Sequence, residues 1–226
     1  MGITMAAVPE LLLIDKPTGM TSFDVIRVLR RRLGVKKMGH AGTLDPRASG
    51  LMLIGIGSGT KELAKLAKLD KEYVAEVRIG ERRSTGDLEG DVVETAAVHD
   101  LSEVAVESAL AGMLGELTLP VSAYSAIKKD GVPMYKKART AERRGKTVTD
   151  VPERMMRVSA AELLGVAQDG ERAVATVRFV VGSGTYIRSL AEELGRRLGY
   201  PATLQALRRT RVGEYRIEDA QPLDRV

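Results

Sequence analysis

The segment from Glu72 to Ile79 has the pattern that most restricts how this chain can fold. Its odd-numbered residues from Tyr73 onward are apolar, while its even-numbered residues include Glu76 and Arg78. A period of two is typical of a strand with one buried face, and it gives an α-helix no continuous apolar side. The segment therefore predicts a β-sheet that has one face against an apolar core.

The remaining elements define how that sheet is built. Further strands are predicted at 10–15, 50–57, near Val92, and at 124–127, 157–166, 172–181 and 203–212. Helices are predicted from Thr21 or Ser22 to Leu33, from Ser58, over 102–113 and 133–144 with Gly145 closing, and from Gly184 to Gly199. Because strands are grouped and helices occur singly, we expect an α+β fold with a mixed, largely antiparallel central sheet and flanking helices.

Length and composition exclude several classes of protein. The chain has 226 residues, which favours a single domain over residues 1–226. It has no cysteine, which excludes disulfides and thiolate chemistry, and two histidines, so a metal site is not expected. Neither a membrane span nor a signal peptide is evident, so we expect a cytoplasmic protein without membrane association.

The basic residues are unevenly distributed. The formal net charge is +5, but residues 126–157 contain ten basic and four acidic residues and so carry the whole excess. Such a segment is either a solvated helix face or a surface that attracts a polyphosphate backbone. Smaller basic clusters at 27–37 and 208–216 favour nucleic acid.

The glycine-rich segment 55–61 does not form a known nucleotide loop. Thr60 stands where both the P-loop and the dinucleotide fingerprint require glycine. The Gly-x-Ser-x-Gly turn of hydrolases is also missing from the sequence. Any reaction must therefore be catalysed by protein side chains without a cofactor-binding loop of these kinds.

The loop at 39–46 places Asp45 directly before Pro46. One interpretation is an Asp-Pro turn. The other is a nucleophile or base, which needs a cation to keep the carboxylate ionised in a poorly solvated pocket. Spacing alone favours the turn but leaves the second interpretation open.

Several blocks together resemble the TruB-type family of bacterial tRNA pseudouridine-55 synthases. They are Gly39-His-Ala-Gly-Thr-Leu-Asp-Pro46, Lys16-Pro-x-Gly-x-Thr-Ser22, Lys71-x-Tyr73, Tyr124-Ser-Ala-Ile-Lys128, Gly184-Thr-Tyr-Ile-Arg-Ser189 and Leu207-Arg-Arg-Thr-Arg211. The resemblance covers about residues 10 to 218. It implies the pseudouridine synthase fold and isomerisation of a uridine in the T loop of tRNA, without cofactor or metal.

The resemblance also implies roles for individual residues. Asp45 would be the nucleophile, attacking either the ribose or the base. Arg188 would pair with Asp45, although its spacing alone fits a surface helix arginine. Tyr73 would stack on the target base and help proton transfer, although its pattern alone fits a core tyrosine.

Other residues would handle the RNA. Because a uridine inside a folded loop must be flipped out to react, His40 would fill the vacated space. Without the resemblance, a loop histidine bonded to the backbone is the favoured interpretation of His40. Residues that would line the base pocket or lie near it are Tyr186, Leu207, Lys16 and Lys61, for which packing or structural ion pairs are the alternatives. A thumb-like insertion at about 121–152 would hold the T arm. Its phosphate contacts would be Lys128, Lys129, Lys136, Lys137, Arg139, Arg143 and Arg144.

The chain also departs from many members of the family. They continue into a small C-terminal RNA-binding domain of the PUA type, which we do not expect here. We expect a monomer that acts without guide RNA. The alternatives are an RNA-binding module or chaperone without turnover, and pseudouridylation of another RNA.

Overall fold

The structure is a computed structural model that describes residues 9–125, 127–144, 148 and 150–226. Its described residues form two compact units. The first unit contains residues 9–73 and 207–226, and the second contains residues 74–206. The prediction of a single catalytic domain with an insertion at about 121–152 stays a prediction.

Strands and helices share the described chain. The helices are α1 (Ser22–Leu33), α2 (Leu63–Leu66), α3 (Glu103–Ala111), α4 (Met134–Glu142) and α5 (Ile187–Leu198), with short 3-10 helices at Gly57–Lys61, Ile217–Asp219 and Leu223–Arg225. The strands are β1 (Leu11–Lys16), β2 (Met38–His40), β3 (Ser49–Ile56), β4 (Lys71–Ile79), β5 (Glu81–Arg83), β6 (Val92–Thr95), β7 (Gly115–Pro120), β8 (Lys128–Lys129), β9 (Val132–Pro133), β10 (Glu153–Asp169), β11 (Arg172–Val181), β12 (Ala202–Val212), β13 (Tyr215–Arg216) and β14 (Gln221–Pro222).

The first unit is built around β3. β1 and β2 both pair with it antiparallel, whereas β12 pairs parallel through Arg208 with Ser49 and Arg209 with Gly50. β14 extends the sheet parallel to β1. The apolar core beneath includes Ala41, Leu51, Leu53, Leu66 and Val212.

Helix α1 begins with a capping box. The Thr21 hydroxyl accepts from the Asp24 amide at 3.0 Å, and the Asp24 carboxylate accepts from the Thr21 amide at 2.9 Å. Gly34 ends the helix in the left-handed region at φ 67°. Thr21 is therefore the cap, and the hydroxyl of Ser22 is available for another partner.

The second unit is organised by the long strand β10. β10 pairs antiparallel with β11 on one side and with β7 on the other. Helix α3 packs against β10 and α5, and α5 contacts β7. Across the described strand pairs the sheet is mixed and mostly antiparallel, so the predicted α+β class is confirmed.

Two predictions of local structure need correction, and several short strands were missed. The strand predicted at 124–127 is wrong for Tyr124 and Ser125, which form a turn because the Ser122 hydroxyl accepts the Tyr124 amide at 3.2 Å. The helix expected from Ser58 is broken into a 3-10 helix and the four-residue α2. Among the described strands, those that were not predicted are β2, β5, β7, β8, β9, β13 and β14.

The predicted basic helix and the expected lack of a membrane span can be compared with the described residues only. Helix α4 confirms the basic helix after Pro133, but its predicted closing residue, Gly145, lies outside the described residues. Within the part of the chain that the structure describes, no helix is long and apolar enough to cross a membrane.

Candidate active site

Asp45 lies on a tight loop of the first unit between β2 and β3, here called the aspartate loop (residues 41–48). Leu44 and Ala48 are buried, while Asp45 is half-buried. The Ala48 amide donates to the Asp45 carbonyl at 3.1 Å, which closes a turn around the Asp-Pro pair. Apolar anchors on both sides therefore hold the loop down and leave the carboxylate near the surface.

Residues of the Lys16–Ser22 segment brace this loop on both sides of Asp45. The Ser22 hydroxyl accepts from the Leu44 amide at 2.9 Å and donates to the Leu44 carbonyl at 3.0 Å. The Gly19 amide donates to the Pro46 carbonyl at 2.8 Å. The residues before and after Asp45 are thus fixed by hydrogen bonds, which limits the positions its carboxylate can take.

Lys16 is a fully buried cation beneath the same loop. Its ammonium donates to the carbonyls of Pro17 at 2.9 Å, Met20 at 2.7 Å and Pro46 at 3.3 Å. Burial lowers the pKa of Lys16 to about 8, and the charge of Asp45 opposes that shift. Lys16 therefore lies near enough to Asp45 for their charges to interact, and it braces the aspartate loop through the Pro46 carbonyl.

Arg209 is a buried arginine that the sequence grouped with a basic surface cluster. Its Nε donates to the Leu51 carbonyl at 2.7 Å and its Nη2 to the Gly42 carbonyl at 3.2 Å. A Cβ on Gly50 would lie 2.3 Å from the Arg209 carbonyl oxygen, so only glycine fits there. Arg209 thus fixes the start of the aspartate loop, and the signal for this role was a glycine in an otherwise apolar strand.

Lys71 ties the beginning of β4 to the end of α2. Its ammonium donates to the carbonyls of Ala67 and Leu69, both at 2.6 Å. Burial foremost, and then the charge of Arg209, lower the pKa of Lys71 to about 8. Tyr73 follows on the same buried face of β4 and is 8% exposed, so the Lys71-x-Tyr73 pair both fixes the strand start and sets the position of Tyr73.

His40 ends β2, five residues before Asp45, where it is paired with Ile54 of β3. It is half-buried, and burial foremost, then the charge of Arg209, lowers the pKa of its imidazole. The ring is therefore neutral at neutral pH. Lys61, also expected near the site, is exposed at the end of a 3-10 helix, and Leu207 is half-buried on β12.

In the second unit, Arg188 lies on the first turn of α5 and is 6% exposed, which excludes a surface arginine. Its Nη1 donates to the Thr85 carbonyl at 2.9 Å and to the Ser122 hydroxyl at 3.1 Å. The same Nη1 lies 3.7 Å from Oδ2 of Asp87. The sequence did not identify Asp87 as a partner of Arg188, because Asp87 lies in a segment with the composition of a polar loop. The predicted pairing of Arg188 with Asp45 stays a prediction.

Asp87 is itself held in place. It is buried, and its Oδ1 accepts from the Thr85 hydroxyl at 2.6 Å and from the Glu89 amide at 3.0 Å. Tyr186, half-buried, directly precedes α5, and its carbonyl accepts from Leu190 at 3.2 Å. The guanidinium of Arg188 is therefore buried and held in place by hydrogen bonds and by the charge of Asp87.

The predicted phosphate contacts in the basic segment divide into paired and exposed cations. Lys129 forms an ion pair with Asp150, and Lys137 forms one with Asp130 at 2.8 Å. Arg139 is exposed, with its guanidinium carbon 6.0 Å from the centroid of the Tyr135 ring. Lys128, Lys136, Arg143 and Arg144 are also exposed.

A model of protein families described as "TruB family pseudouridylate synthase (N terminal domain)" matches residues 30–187. The chain belongs to this family. This match confirms the resemblance noted in the sequence. Pseudouridine synthases of the TruB type are isomerases. Among the described residues, no group of His, Cys, Asp and Glu side chains is placed to hold a metal ion.

Curated members of the TruB family are similar over nearly the whole chain. "tRNA pseudouridine synthase B" of Leifsonia xyli subsp. xyli is 44% identical over 94% of this chain and 70% of its own length. The protein of the same name from Corynebacterium efficiens is 43% identical over the same shares.

Solved structures agree with the TruB-type fold. A chain from "Structure of H/ACA RNP bound to a substrate RNA containing 2'-deoxyuridine" matches with a TM-score of 0.67 and 26% identity, over 95% of this chain and 51% of that chain. A chain from "Crystal structure of the archaeal box H/ACA sRNP Nop10-Cbf5 complex" matches with a TM-score of 0.65 and the same identity and shares. The protein thus spans about half the length of these structural relatives.

Proposed function

We propose that this protein converts the uridine at position 55 in the T loop of tRNA to pseudouridine, with Asp45 as the nucleophile. Relatives named "tRNA pseudouridine synthase B", at 44% and 43% identity, support the choice of tRNA. The observation that carries the role of Asp45 is the bracing of both its neighbours, Leu44 by Ser22 and Pro46 by Gly19 and Lys16.

The reaction balances without a cofactor. The bond between C1′ of the ribose and N1 of the uracil breaks, the base turns, and C5 bonds to C1′. C5 loses one proton and N1 gains one, so nothing is oxidised or reduced. Asp45 adds to either the ribose or the base and is released at the end. Tyr73 stacks on the uracil, and its hydroxyl assists the transfer of the C5 proton.

The target uridine must leave the stacked loop, at a cost of about a few kcal/mol. His40 is suited to fill the vacated space because its imidazole is neutral and lies five residues from Asp45. Tyr186 and Leu207 line the base pocket in this proposal, and Lys61 lies near it. Arg188 keeps Asp45 ionised by pairing with it.

The basic segment holds the T arm through phosphate contacts. Its exposed cations support this role: Lys128, Lys136, Arg139, Arg143 and Arg144. Lys129 and Lys137 already face aspartates, so they would have to exchange those partners for phosphates. We expect the protein to act on tRNA as a monomer.

The test is to incubate the purified protein with unmodified tRNA transcripts and map pseudouridine by position. Wild type should modify position 55 without added guide RNA, and Asp45→Asn should form no product. Asp219→Asn, at an exposed carboxylate, is the matched control and should keep wild-type activity. Absence of product from wild type would reject turnover on tRNA and leave RNA binding or chaperoning.

The same experiment separates the other possibilities. Equal product from Asp45→Asn would reject Asp45 as the nucleophile. Product in competing RNAs but not in tRNA would assign a different substrate. A requirement for added guide RNA would contradict the expectation that the protein acts without one.

A further inference from the structure

Phe23, the second residue of α1, leaves its ring in solvent. The sequence has two phenylalanines, of which Phe179 is fully buried whereas Phe23 is 57% exposed. The buried face of α1 consists of Ser22, Val25, Ile26 and Leu29. Packing against the core therefore does not explain why position 23 has an aromatic ring.

Two guanidinium groups accompany the exposed ring. The guanidinium carbon of Arg27 lies 5.8 Å from the ring centroid, and that of Arg30 lies 5.9 Å from it. These spacings of four and seven residues put all three side chains on one stripe of α1, here called the Phe23 stripe. Asp24 lies beside the stripe and forms an ion pair with Arg27.

Helix α1 is hydrogen-bonded to the segment that carries Asp45 at two places beside or within the Phe23 stripe. The first is Ser22, the residue before Phe23, whose hydroxyl holds Leu44 next to Asp45. The second is Arg30 of the stripe, whose Nη2 donates to the Met38 carbonyl at 3.1 Å, in the strand that ends at His40. The exposed ring is thus fixed to the same framework as the candidate nucleophile.

We propose that the Phe23 stripe is a stacking site for an unpaired base of the RNA substrate beside the target uridine. The inference rests on the proposed function and adds to it a contact outside the target pocket. Aromatic rings and guanidinium planes both stack on unpaired bases, and the arginines also complement the phosphates between them. An RNA loop offers both partners at once, which favours RNA over an apolar protein surface.

The test uses a T-arm stem-loop RNA carrying 2-aminopurine at one loop position at a time, never at the target. Wild type is compared with Phe23→Leu, which removes the ring but keeps an apolar side chain, and with Phe23→Tyr, which keeps the ring. We expect Phe23→Leu to bind about tenfold more weakly, within the range known for base–aromatic stacking, and Phe23→Tyr to bind within about twofold of wild type. Quenching at one loop position should be lost in Phe23→Leu and kept in Phe23→Tyr.

Controls keep the outcome interpretable. Val104→Ala changes another exposed apolar residue, 73% exposed on α3, and should leave binding and quenching unchanged. Thermal unfolding should show that each variant is folded. Phe23→Leu binding within twofold of wild type, or equal weakening in Phe23→Leu and Phe23→Tyr, would overturn the stacking site. Pseudouridine mapping with wild type on the same RNA separates this result from failure of the proposed function.

Discussion

Ser22 and Leu44 are joined by a reciprocal pair of hydrogen bonds across 22 residues of sequence, at 2.9 Å and 3.0 Å. Both groups of Leu44 are buried, so removing the hydroxyl leaves a donor and an acceptor without partners. We expect Ser22→Ala to cost about 1–3 kcal/mol of stability and to slow turnover by loosening Asp45. Chemical denaturation and single-turnover rates measure the two effects.

Thr18→Ala is the matched control, because Thr18 is an exposed hydroxyl residue in the same segment. It should change neither measurement. Wild-type stability and rate in Ser22→Ala would show that the loop is held without this pair.

Gly50 and Arg209 approach each other too closely for a side chain. An alanine Cβ at position 50 would meet the Arg209 carbonyl oxygen at 2.3 Å, with φ at +105°. We expect Gly50→Ala to cost about 3 kcal/mol or more, since backbone strain and steric overlap add. Gly34→Ala, at φ +67° with open space around it, should show the strain alone, about 1–2 kcal/mol. Equal losses in urea unfolding would argue against the close approach.

The buried ammonium of Lys16 makes stability depend on pH. The pKa of Lys16 is about 8 in the folded protein, against an ordinary value of 10.5 that applies to the unfolded chain. Below pH 8 the ammonium is therefore protonated in both the folded and the unfolded state, and the folded state carries the full cost of burying its charge. Between pH 8 and 10.5 the folded state releases the proton first, and the free energy of unfolding rises. The rise from Lys16 alone is about 3 kcal/mol at most.

Lys16→Met keeps the apolar length of the side chain and removes the charge. The free energy of unfolding of this variant should rise less than that of wild type between pH 8 and 10. Lys71 shifts in the same direction and remains in both proteins, so the comparison isolates Lys16. Parallel pH profiles for the two proteins would contradict a lowered pKa at Lys16.

The sequence predicted the strand from Glu72 to Ile79 and helix α1 well, because their periodicity and caps are local signals. It also placed Asp45 on a turn. It did not predict that Ser22, rather than acting as a cap, would hold Leu44, nor that Arg209 would be buried. Those contacts join residues far apart in the chain, and an arginine has the same local signature whether it meets phosphate or a backbone carbonyl.

Asp87 should be needed to hold Arg188. It is buried 3.7 Å from Nη1 of Arg188, while two further bonds from Thr85 and Glu89 fix its carboxylate. Asp87→Asn removes the charge but can keep one of those bonds, so we expect slower turnover and a stability loss of about 1–3 kcal/mol. Asp169→Asn, at an exposed aspartate paired with Arg78, should change turnover little. Single-turnover rates with saturating tRNA check this, and equal rates for both variants would contradict it.

The exposed cations of the basic segment should determine how strongly salt weakens RNA binding. Replacing Lys128, Lys136 and Arg139 with glutamine removes up to three phosphate contacts, and each contributes roughly 0.7 to 0.9 to the slope of log K against log salt. We expect the triple variant to bind tRNA more weakly, with a slope shallower by roughly two. Lys65→Gln with Lys68→Gln, at exposed lysines of the first unit, should keep the wild-type slope. Because the change leaves Asp45 untouched, single-turnover chemistry at saturating enzyme should be preserved. A triple variant with the wild-type slope would show that the segment is only a solvated helix face.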